Sequence, residues 1–295
     1  MRVHLVDGTF ELFRAHFTKR PGHTSPQGQD VKASVGIVYS LLALLQDPDE
    51  AATHVAVAFD HPIRSFRNDL YAGYKSDAGV PEEILAQFDL VERATRAIGI
   101  VTWPMDAWEA DDALATGVRL YRDHVDQVRI LTPDKDLGQC ILGQKVVQVD
   151  RIRRRLIDED ALVAQRGVRP ASIPDWLALV GDTADGYPGL PGFGEKTAAA
   201  LLAKFGRLEA IPDQVAAWPA NVRGREKLAV TLKGRREEAL LYRKLATLVS
   251  DVPIAEDLAA LEWKGVPREA FLAFCDEVGA DAGLRARPHR FAPEA

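Results

Sequence analysis

Three apolar runs in the first half of the chain each lead into an aspartate, and this pattern constrains the fold more than any other feature. The runs Val3–Val6, His54–Phe59 and Val128–Thr132 precede, in that order, Asp7, Asp60 and Asp134. Amphipathic stretches of helical length separate the runs, an alternation typical of a parallel α/β sheet. Because ligands bind outside the carboxyl ends of parallel strands, we expect the three aspartates to converge on one edge of the sheet.

The remaining periodicity divides the chain into two regions. The first region has further predicted strands and helices at Lys32–Gln46, Glu82–Ile98, Ile100–Trp103, Trp108–Arg122 and Lys145–Val149, with Arg155–Ile157 in a hairpin. The second has predicted helices only, at Asp158–Arg166, Ile173–Val180, Glu195–Phe205, Arg235–Leu248 and Arg268–Val278. We therefore expect an α/β domain over residues 1–160, with a central, mostly parallel sheet flanked by helices, and a helical domain over residues 161–295.

Six further acids lie in short motifs along the chain. They are Glu109, Asp111, Asp112, Asp136, Asp182 and Asp185. Taken singly, each of them can be a helix cap or a turn former, and this alternative stays open for Asp112 in particular. Taken together with the three strand-end aspartates, they form a set of carboxylates that would repel one another in a shared pocket. Such a set requires protonation or bound cations.

The ligand chemistry favours a particular kind of metal. Oxygen ligands without nearby histidine or cysteine suit Mg²⁺, or Mn²⁺ in its place, rather than zinc. A pair of such ions about 3.5–4 Å apart is a known device for hydrolysing phosphodiester bonds. The 7 histidines follow no catalytic spacing that would suggest a different mechanism. The acids therefore predict a metal-dependent hydrolase that acts on phosphate esters.

A glycine-rich turn between residues 185 and 197 is the most distinctive stretch of the second region. Gly189 and Gly194 have the spacing of a phosphate loop, but Glu195 stands where that motif requires lysine. The alternative is a helical hairpin in which Gly192 and Gly194 let the backbone approach a phosphate at the start of a helix. Such contacts hold nucleic acid without reading its sequence. A loop whose glycines only permit packing also remains open.

Composition sets weaker limits on function. The net charge of −6 argues against a nucleic-acid partner, but bases gather at Arg151–Arg155 and between Arg223 and Lys244. These basic stretches either bind nucleic acid or form solvated surfaces.

Cys140 and Cys275 are too few for a disulfide scaffold, and no apolar stretch approaches ~20 residues. We expect a cytoplasmic monomer, at the bacterial nucleoid, that does not contact membranes.

The acids and the glycine-rich turn together resemble the 5′ nuclease family. This family contains the 5′-3′ exonuclease domain of bacterial DNA polymerase I, stand-alone 5′-3′ exonucleases and, more distantly, the flap endonucleases. The matching motifs follow the family's order and span nearly the whole chain, at Leu5–Gly8, Phe59-Asp60, Ser65–Arg67, Tyr74-Lys75, Glu109–Asp112, Thr132–Leu137, Gly181–Asp185 and Pro191–Thr197. Each motif is weak alone, whereas the ordered set is highly specific.

The resemblance implies two groups of metal ligands and a helix-two-turn-helix motif. The first ion would be bound by Asp7, Asp60, Glu109 and Asp111, with Asp112 close by. The second would be bound by Asp134, Asp136, Asp182 and Asp185, partly through water. The helix-two-turn-helix motif near 180–206 would hold duplex DNA through Gly192, Gly194, Lys196 and Thr197, with a potassium ion bound there.

The resemblance also implies a helical arch near 64–85, of the kind found in PIN and flap-endonuclease folds. Tyr74 would contact DNA at its base, and Lys75 would stabilise charge on the scissile phosphate. Arg67 matches a second catalytic basic position, and Arg14 matches a DNA-binding one. The family's usual arch arginine is replaced by Ala78, which leaves the arch with less positive charge and puts strand threading in question.

The implied activity is a 5′-3′ exonuclease and 5′-flap endonuclease that hydrolyses DNA by two-metal-ion catalysis in replication or repair. Expected partners are flapped, nicked or branched duplex DNA and a DNA polymerase acting in trans. Two alternatives remain at this stage. One is a non-catalytic module that binds branched DNA through the same turn, and the other is an RNA-directed nuclease of the same fold group.

Overall fold

The computed structural model describes residues 1–293, which form two compact units. The first unit contains Met1–Arg64, Asp77–Thr132 and the chain from Ser250 onward, and the second contains Ser65–Ser76 and Pro133–Val249. The strands are β1 (Arg2–Asp7), β2 (His54–Asp60), β3 (Val101–Met105), β4 (Gln127–Leu131), β5 (Val146–Asp150) and β6 (Arg155–Ile157). The α-helices are α1 (Gly8–Phe17), α2 (Lys32–Gln46), α3 (Arg67–Leu70), α4 (Glu82–Leu85), α5 (Phe88–Ala97), α6 (Ala110–Tyr121), α7 (Glu159–Arg166), α8 (Ile173–Val180), α9 (Glu195–Phe205), α10 (Arg225–Gly234), α11 (Arg236–Ala246), α12 (Arg268–Glu277) and α13 (Ala282–Arg285).

The first unit is built on parallel strands in the order β3-β2-β1-β4. Their apolar residues are almost all buried because helices cover both faces of a parallel sheet, and α1, α5 and α6 pack against these strands. The register pairs Asp7 with Ala58 and Asp60 with Met105, so both aspartates lie at the carboxyl edge. The predicted parallel α/β sheet is confirmed.

Helix α1 is absent from the periodicity pattern because Gly8, Thr9 and several aromatic residues are weak helix formers. Tertiary packing stabilises it instead. A Cβ at residue 8 would lie 2.5 Å from Phe59 Cε1 and 2.7 Å from the Ala58 carbonyl oxygen. Only glycine therefore allows the chain to turn from β1 into a helix this close to β2. The turn places the side chain of Asp7 at the start of α1.

The helix predicted at Glu82–Ile98 is two helices, α4 and α5, separated by Ala86 and Gln87. The Gln87 side chain is buried, where its Oε1 accepts from the backbone nitrogen and the hydroxyl of Ser34, both at 3.0 Å. A buried amide must be hydrogen-bonded to be tolerated. The chain therefore departs from the helix at Ala86 and Gln87, where the Gln87 side chain reaches Ser34. The interruption is a tertiary effect that periodicity does not show.

The second unit contains the antiparallel hairpin β5–β6 and the helices α3 and α7 to α11. Helix α8 packs against α9 and α11 around a core that includes Trp176, Leu201 and Tyr242. Two turns join α8 to α9, as expected for a helix-two-turn-helix motif, and the predicted helical part of the fold is confirmed. No helix within residues 1–293 has the length and apolarity needed to cross a bilayer.

The compact units do not follow the predicted border between residues 160 and 161. Helices α12 and α13 belong to the first unit, and α3 with the segment up to Ser76 belongs to the second. The sequence pattern identifies the helical character of a region but not the core in which each helix is buried. The division into domains at residue 160 stays a prediction.

Candidate active site

Asp7 and Asp60 are the last residues of the neighbouring parallel strands β1 and β2, and both carboxylates are fixed by hydrogen bonds. Asp7 Oδ1 accepts from the backbone nitrogen of Phe10 at 2.8 Å and caps α1, while its Oδ2 accepts from the Thr132 hydroxyl at 2.9 Å. Each carboxylate oxygen can accept further bonds. Both side chains are nearly buried, with 6% and 8% of their surface exposed. They are therefore ordered acids at the ligand-binding edge of the sheet.

The start of α6 brings three more predicted acids to this region. Asp60 Oδ1 accepts from the Ala110 backbone nitrogen at 2.7 Å, which ties strand β2 to the first turn of the helix. Glu109 and Asp112 form a reciprocal capping box, in which Asp112 Oδ2 accepts from the Glu109 nitrogen at 3.1 Å. Asp112 is fully buried, so capping accounts for it and a metal role stays a prediction. Asp111 is half-buried in the same turn.

The second unit gathers Asp136, Asp182 and Asp185 into one cluster. One carboxylate oxygen from each residue lies within 4.8 Å of the others. Asp182 and Asp185 reach the cluster from a tight turn closed by Asp182 and Tyr187, whose backbones exchange hydrogen bonds of 2.8 and 3.0 Å. Asp134 is exposed, and its Oδ1 accepts from the Asp136 nitrogen at 2.9 Å, which fixes the backbone that presents Asp136.

The electrostatics of this cluster favour a bound cation. Burial raises the pKa of Asp136 well above its usual range, and the negative charges of Asp134 and Asp185 raise it further. Asp136 Oδ1 is buried and has no hydrogen-bond partner among the described residues, although Lys135 Nζ lies 3.7 Å away. An oxygen-only donor set with an unsatisfied buried carboxylate oxygen fits a hard divalent cation.

Lys135 is a member of this cluster that the sequence analysis does not assign to the site. Its ammonium group donates to Asp182 Oδ2. Burial would lower the pKa of Lys135, but Asp136, Asp182 and Asp134 outweigh burial and raise it. The position of Lys135 between Asp134 and Asp136 is the sequence feature that could have predicted its contact with the acids.

Tyr187 is a second residue outside the predicted set. Its hydroxyl is buried and has no hydrogen-bond partner among the described residues. Burial raises the pKa of Tyr187, and the charge of Asp136 adds to this effect. The ring stacks on Tyr242 with a centroid separation of 5.6 Å. Nothing in the sequence distinguishes this tyrosine from an ordinary core residue.

The predicted catalytic Lys75 lies at the same cluster. Lys75 Nζ is 3.1 Å from Asp185 Oδ1, and the Lys75 backbone nitrogen donates to the Asp185 carbonyl at 3.0 Å. Tyr74 is buried, and its hydroxyl donates to Asp185 Oδ2 at 3.3 Å. Two adjacent residues thus both contact Asp185, which sets the position of Lys75 relative to the acids.

Arg67 and Arg14 have different surroundings from those expected for exposed phosphate-binding arginines. Arg67 is 1% exposed and donates from Nε to the Leu245 carbonyl at 2.8 Å. Arg14 is half-buried and donates to Glu11 and to the Ser40 hydroxyl. These contacts are internal to each unit. The catalytic role of Arg67 and the DNA-binding role of Arg14 stay predictions.

The glycine-rich turn presents an exposed helix start. Gly194 is the N-cap residue of α9, and the backbone nitrogens of Thr197 and Ala198 donate to its carbonyl at 3.0 Å. Gly192 has φ +86°, which only glycine adopts readily. Gly192, Gly194 and Lys196 are exposed, while Phe193 between the two glycines is buried and anchors the turn. The arrangement suits a backbone phosphate contact.

Family models match both regions of the chain. Residues 2–167 match the model described as the 5′-3′ exonuclease N-terminal resolvase-like domain, and residues 168–269 match the 5′-3′ exonuclease C-terminal SAM fold. DNA polymerase I of Pseudomonas aeruginosa is 36% identical over 281 residues, which are 93% of this chain and 30% of that protein. DNA polymerase I of Bacillus caldotenax is 34% identical over 286 residues, 95% of this chain and 32% of that protein. The chain thus spans about a third of the length of these two relatives.

Solved structures share the fold at low sequence identity. The bacteriophage T5 D15 protein, crystallised with metal ions, has a TM-score of 0.68 at 19% identity, with 94% of this chain and 100% of that chain covered. The catalytic core of Rad2 in complex with DNA substrate has a TM-score of 0.62 at 14% identity, with 94% and 88% covered. These likenesses confirm the fold. The two family models, together with the polymerase relatives, show that this chain belongs to the 5′-3′ exonuclease family.

Proposed function

We propose that this chain hydrolyses DNA phosphodiester bonds as a Mg²⁺-dependent 5′-3′ exonuclease and 5′-flap endonuclease. The observation that carries the proposal is the cluster of Asp136, Asp182 and Asp185, whose oxygens lie within 4.8 Å of one another. Family membership supports a nuclease, and the cluster supplies the ligands that metal-dependent hydrolysis requires. A module that only binds DNA has no use for carboxylates that repel both phosphate and one another.

The acids of each unit suit a separate ion. Asp7, Asp60, Glu109 and Asp111 would hold one ion, and Asp136, Asp182 and Asp185 the other, with Asp134 acting through water. Bound divalent cations supply a hydroxide nucleophile near neutral pH and stabilise negative charge on the phosphate and the leaving oxygen. The oxygen-only ligands support Mg²⁺, with Mn²⁺ as a substitute, because zinc prefers nitrogen and sulfur.

Protein residues supply the remaining charge and the grip on DNA. Lys75 Nζ lies 3.1 Å from Asp185 Oδ1 and would offset charge on the scissile phosphate. Gly192, Gly194, Lys196 and Thr197 would bind the duplex backbone at the start of α9, together with a potassium ion. Complexes with DNA substrate or product are described for Rad2 and for T5 D15, and such neighbours support a branched or flapped duplex as substrate.

The polymerase relatives support a place for this activity beside DNA synthesis. Each relative carries this region within a DNA polymerase I. We propose that the nuclease removes 5′ ends which a polymerase exposes, either within one protein or as a separate partner. Such a pairing requires that the cut leave a nick that can be ligated.

The test is cleavage of an end-labelled 5′-flap duplex with and without Mg²⁺. We expect Mg²⁺-dependent cutting near the flap junction, abolished by Asp134→Asn and retained by Asp160→Asn, an exposed matched control on α7. Tight binding without cutting in both Mg²⁺ and Mn²⁺ would instead favour the non-catalytic module. Faster cutting of an otherwise identical RNA flap would favour the RNA-directed alternative.

A further inference from the structure

Arg67 binds the end of helix α11 rather than pointing into solvent. Its Nε donates to the Leu245 carbonyl at 2.8 Å, and a terminal nitrogen donates to the Thr247 carbonyl at 3.1 Å. The last carbonyls of a helix have no partner within the helix, so a guanidinium with several fixed donors is well suited to bind them. The guanidinium also packs over the Phe66 ring at 4.7 Å. The charge of Arg67 is therefore matched to a helix C-terminus.

Gln139 binds the same helix end from the segment that carries Asp136. Its Nε2 donates to the carbonyls of Asp136 at 2.9 Å and Ala246 at 3.0 Å. Its Oε1 accepts from the Leu248 backbone nitrogen at 3.1 Å. One side-chain amide thus joins the turn of Asp136 to the residues that end α11.

Asn68 extends these contacts to Lys75. Its Nδ2 donates to the carbonyls of Tyr74 at 3.3 Å and Lys75 at 2.8 Å, while its Oδ1 accepts from the Ser65 nitrogen at 2.9 Å. Asn68 directly follows Arg67 in α3. The segment bearing Lys75 is therefore attached to the end of α11 on one side, and the turn bearing Asp136 is attached to it on the other.

We propose that Arg67 and Gln139 are positioning residues that clamp the C-terminal end of α11 and thereby place Lys75 and Asp136 relative to each other. The clamp comprises Arg67, Asn68, Gln139 and residues 245–248. Arg67 then acts through Lys75 and not on the substrate, in contrast to its predicted catalytic role. The consequence for catalysis rests on the proposed nuclease function, whereas the mechanical coupling within the clamp does not.

The coupling can be tested by hydrogen–deuterium exchange without any activity measurement. Gln139→Glu keeps the shape of the side chain but replaces Nε2 by an oxygen that faces two carbonyls. We expect exchange to rise by about tenfold in residues 65–76 as well as in 136–140, because opening of one clamp side releases the other. Gln165→Glu, an exposed residue on α7, carries the same charge change and should alter neither segment.

An increase confined to residues 136–140, or one spread evenly over the second unit, would overturn the proposal. If Gln139→Glu does not fold, Arg67→Lys gives the same test in the opposite direction. Lysine keeps the charge but cannot bind both the Leu245 and Thr247 carbonyls in a fixed geometry. Faster exchange in residues 136–140 of Arg67→Lys would support the clamp, and unchanged exchange there would refute it.

The flap assay then separates positioning from substrate contact. We expect Arg67→Lys to lower kcat by up to about 100-fold with little change in KM, the scale of loss caused by small misplacement of a catalytic group. Adding Arg67→Lys to Lys75→Ala should then cost less than Arg67→Lys costs alone, because the contribution of Lys75 is already lost. Additive losses, or a loss carried by KM, would show direct contact with DNA. A wild-type chain that does not cut would contradict the proposed function alone.

Discussion

Individual residues of the candidate site differ in how firmly the fold holds them. Lys75 is fixed by its backbone contact to Asp185 and by the ion pair from its side chain. The backbone of Tyr187 is hydrogen-bonded to Asp182, but its side chain is held by packing, because its buried hydroxyl has no partner among the described residues. Lys75 is therefore held in a position suited to its proposed catalytic role. The Tyr187 hydroxyl is a buried polar group without a hydrogen bond to any described residue.

We predict that Lys75→Ala lowers kcat by about 100-fold or more while leaving the Kd for flap DNA within a few-fold, because a positioned charge acts mainly on the transition state. Single-turnover kinetics and a binding titration in Ca²⁺ measure the two quantities separately. Lys196→Ala is the matched control, since an exposed lysine at the start of α9 should affect binding more than rate. Equal losses in rate and affinity for Lys75→Ala would reduce Lys75 to a binding residue.

We predict that Tyr187→Phe leaves the free energy of unfolding unchanged or raises it by about 1 kcal/mol, because it removes an unsatisfied buried hydroxyl without creating a cavity. Denaturant unfolding of the metal-free protein measures the difference. Tyr242→Phe is the control, because the Tyr242 hydroxyl donates to Glu238 at 2.8 Å and its removal should destabilise. A clear loss of stability in Tyr187→Phe would reveal a hydrogen bond to that hydroxyl.

At the scale of elements, close backbone approaches set the geometry of the site. The turn of Asp182–Tyr187 packs directly on the segment that carries Lys75, with Gly186 at the point of contact. A buried group of polar side chains, nearer the start of β1, also depends on contacts between elements. There, His4, Glu50 and Arg129 form a chain of hydrogen bonds, with His4 Nε2 and Arg129 both binding Glu50 Oε2.

We predict that Gly186→Ala destabilises the fold by about 2 kcal/mol or more and displaces Lys75. A Cβ at residue 186 would lie 2.1 Å from the Gly73 carbonyl oxygen, and φ there is +84°. Thermal unfolding and the single-turnover cleavage rate should both fall. Gly206→Ala is the matched control, since φ there is +79° but nothing lies within 4 Å of a Cβ. Equal effects of the two substitutions would argue against a tight contact at Gly186.

We predict that the stability contributed by His4 and Glu50 falls as the pH is lowered from neutral, in two steps. Burial lowers the pKa of His4 below 6.5, so below that pH the unfolded chain binds a proton that the folded chain resists. Hydrogen bonds from His4 and Arg129 hold the pKa of Glu50 at about 2, so its contribution is present above pH 4.5 and is lost between 4.5 and 2. Both effects favour the unfolded state in acid.

Urea unfolding across this pH range measures the two steps, and two variants assign them. Glu50→Gln should lower stability at neutral pH and flatten the curve below pH 4.5. His4→Phe should flatten the curve between pH 6.5 and 4.5. A pH profile that is the same in wild type and in both variants would show that this buried group does not control acid stability.

At the scale of the whole molecule, the cluster of Asp136, Asp182 and Asp185 links the proposed metal binding to stability. Burial and the neighbouring carboxylates raise the pKa of Asp136 in the folded chain and so disfavour its charged form there. Folding must therefore overcome repulsion that a divalent cation would relieve. The residues proposed to bind the catalytic ion would therefore reduce the stability of the metal-free protein.

We predict that Mg²⁺ at about 100 times its Kd stabilises the protein by about 2.7 kcal/mol and raises the melting temperature, whereas KCl of equal ionic strength does not. Asp136→Asn should raise the melting temperature of the metal-free protein and reduce the response to Mg²⁺, because only one of the two proposed ions loses a ligand. Differential scanning calorimetry with and without EDTA measures both. A melting temperature unaffected by Mg²⁺ in the wild type would argue against a metal site in this cluster.

Much of the element pattern was predictable because it rests on local chemistry. The bounds of α2, α8 and α9 coincide with their predicted ranges, since their apolar periodicity and flanking turn residues are read within one segment. The weak helix α1 and the break at Gln87 were not predictable, because packing against β2 and bonding to Ser34 determine them. Long-range partners override local propensity at both places.

The sequence by itself determined the family, the parallel sheet and the set of acidic residues, because motif order and strand-end position are local properties of the chain. Only the tertiary structure decided which acids share a cluster, that Lys135 joins them and that Arg67 binds the end of α11. These outcomes depend on distances between residues far apart in sequence, such as the 2.8 Å from Arg67 to Leu245. The physical reason is that hydrogen bonds and charge interactions act over a few ångströms, whereas sequence spacing constrains position only within one element.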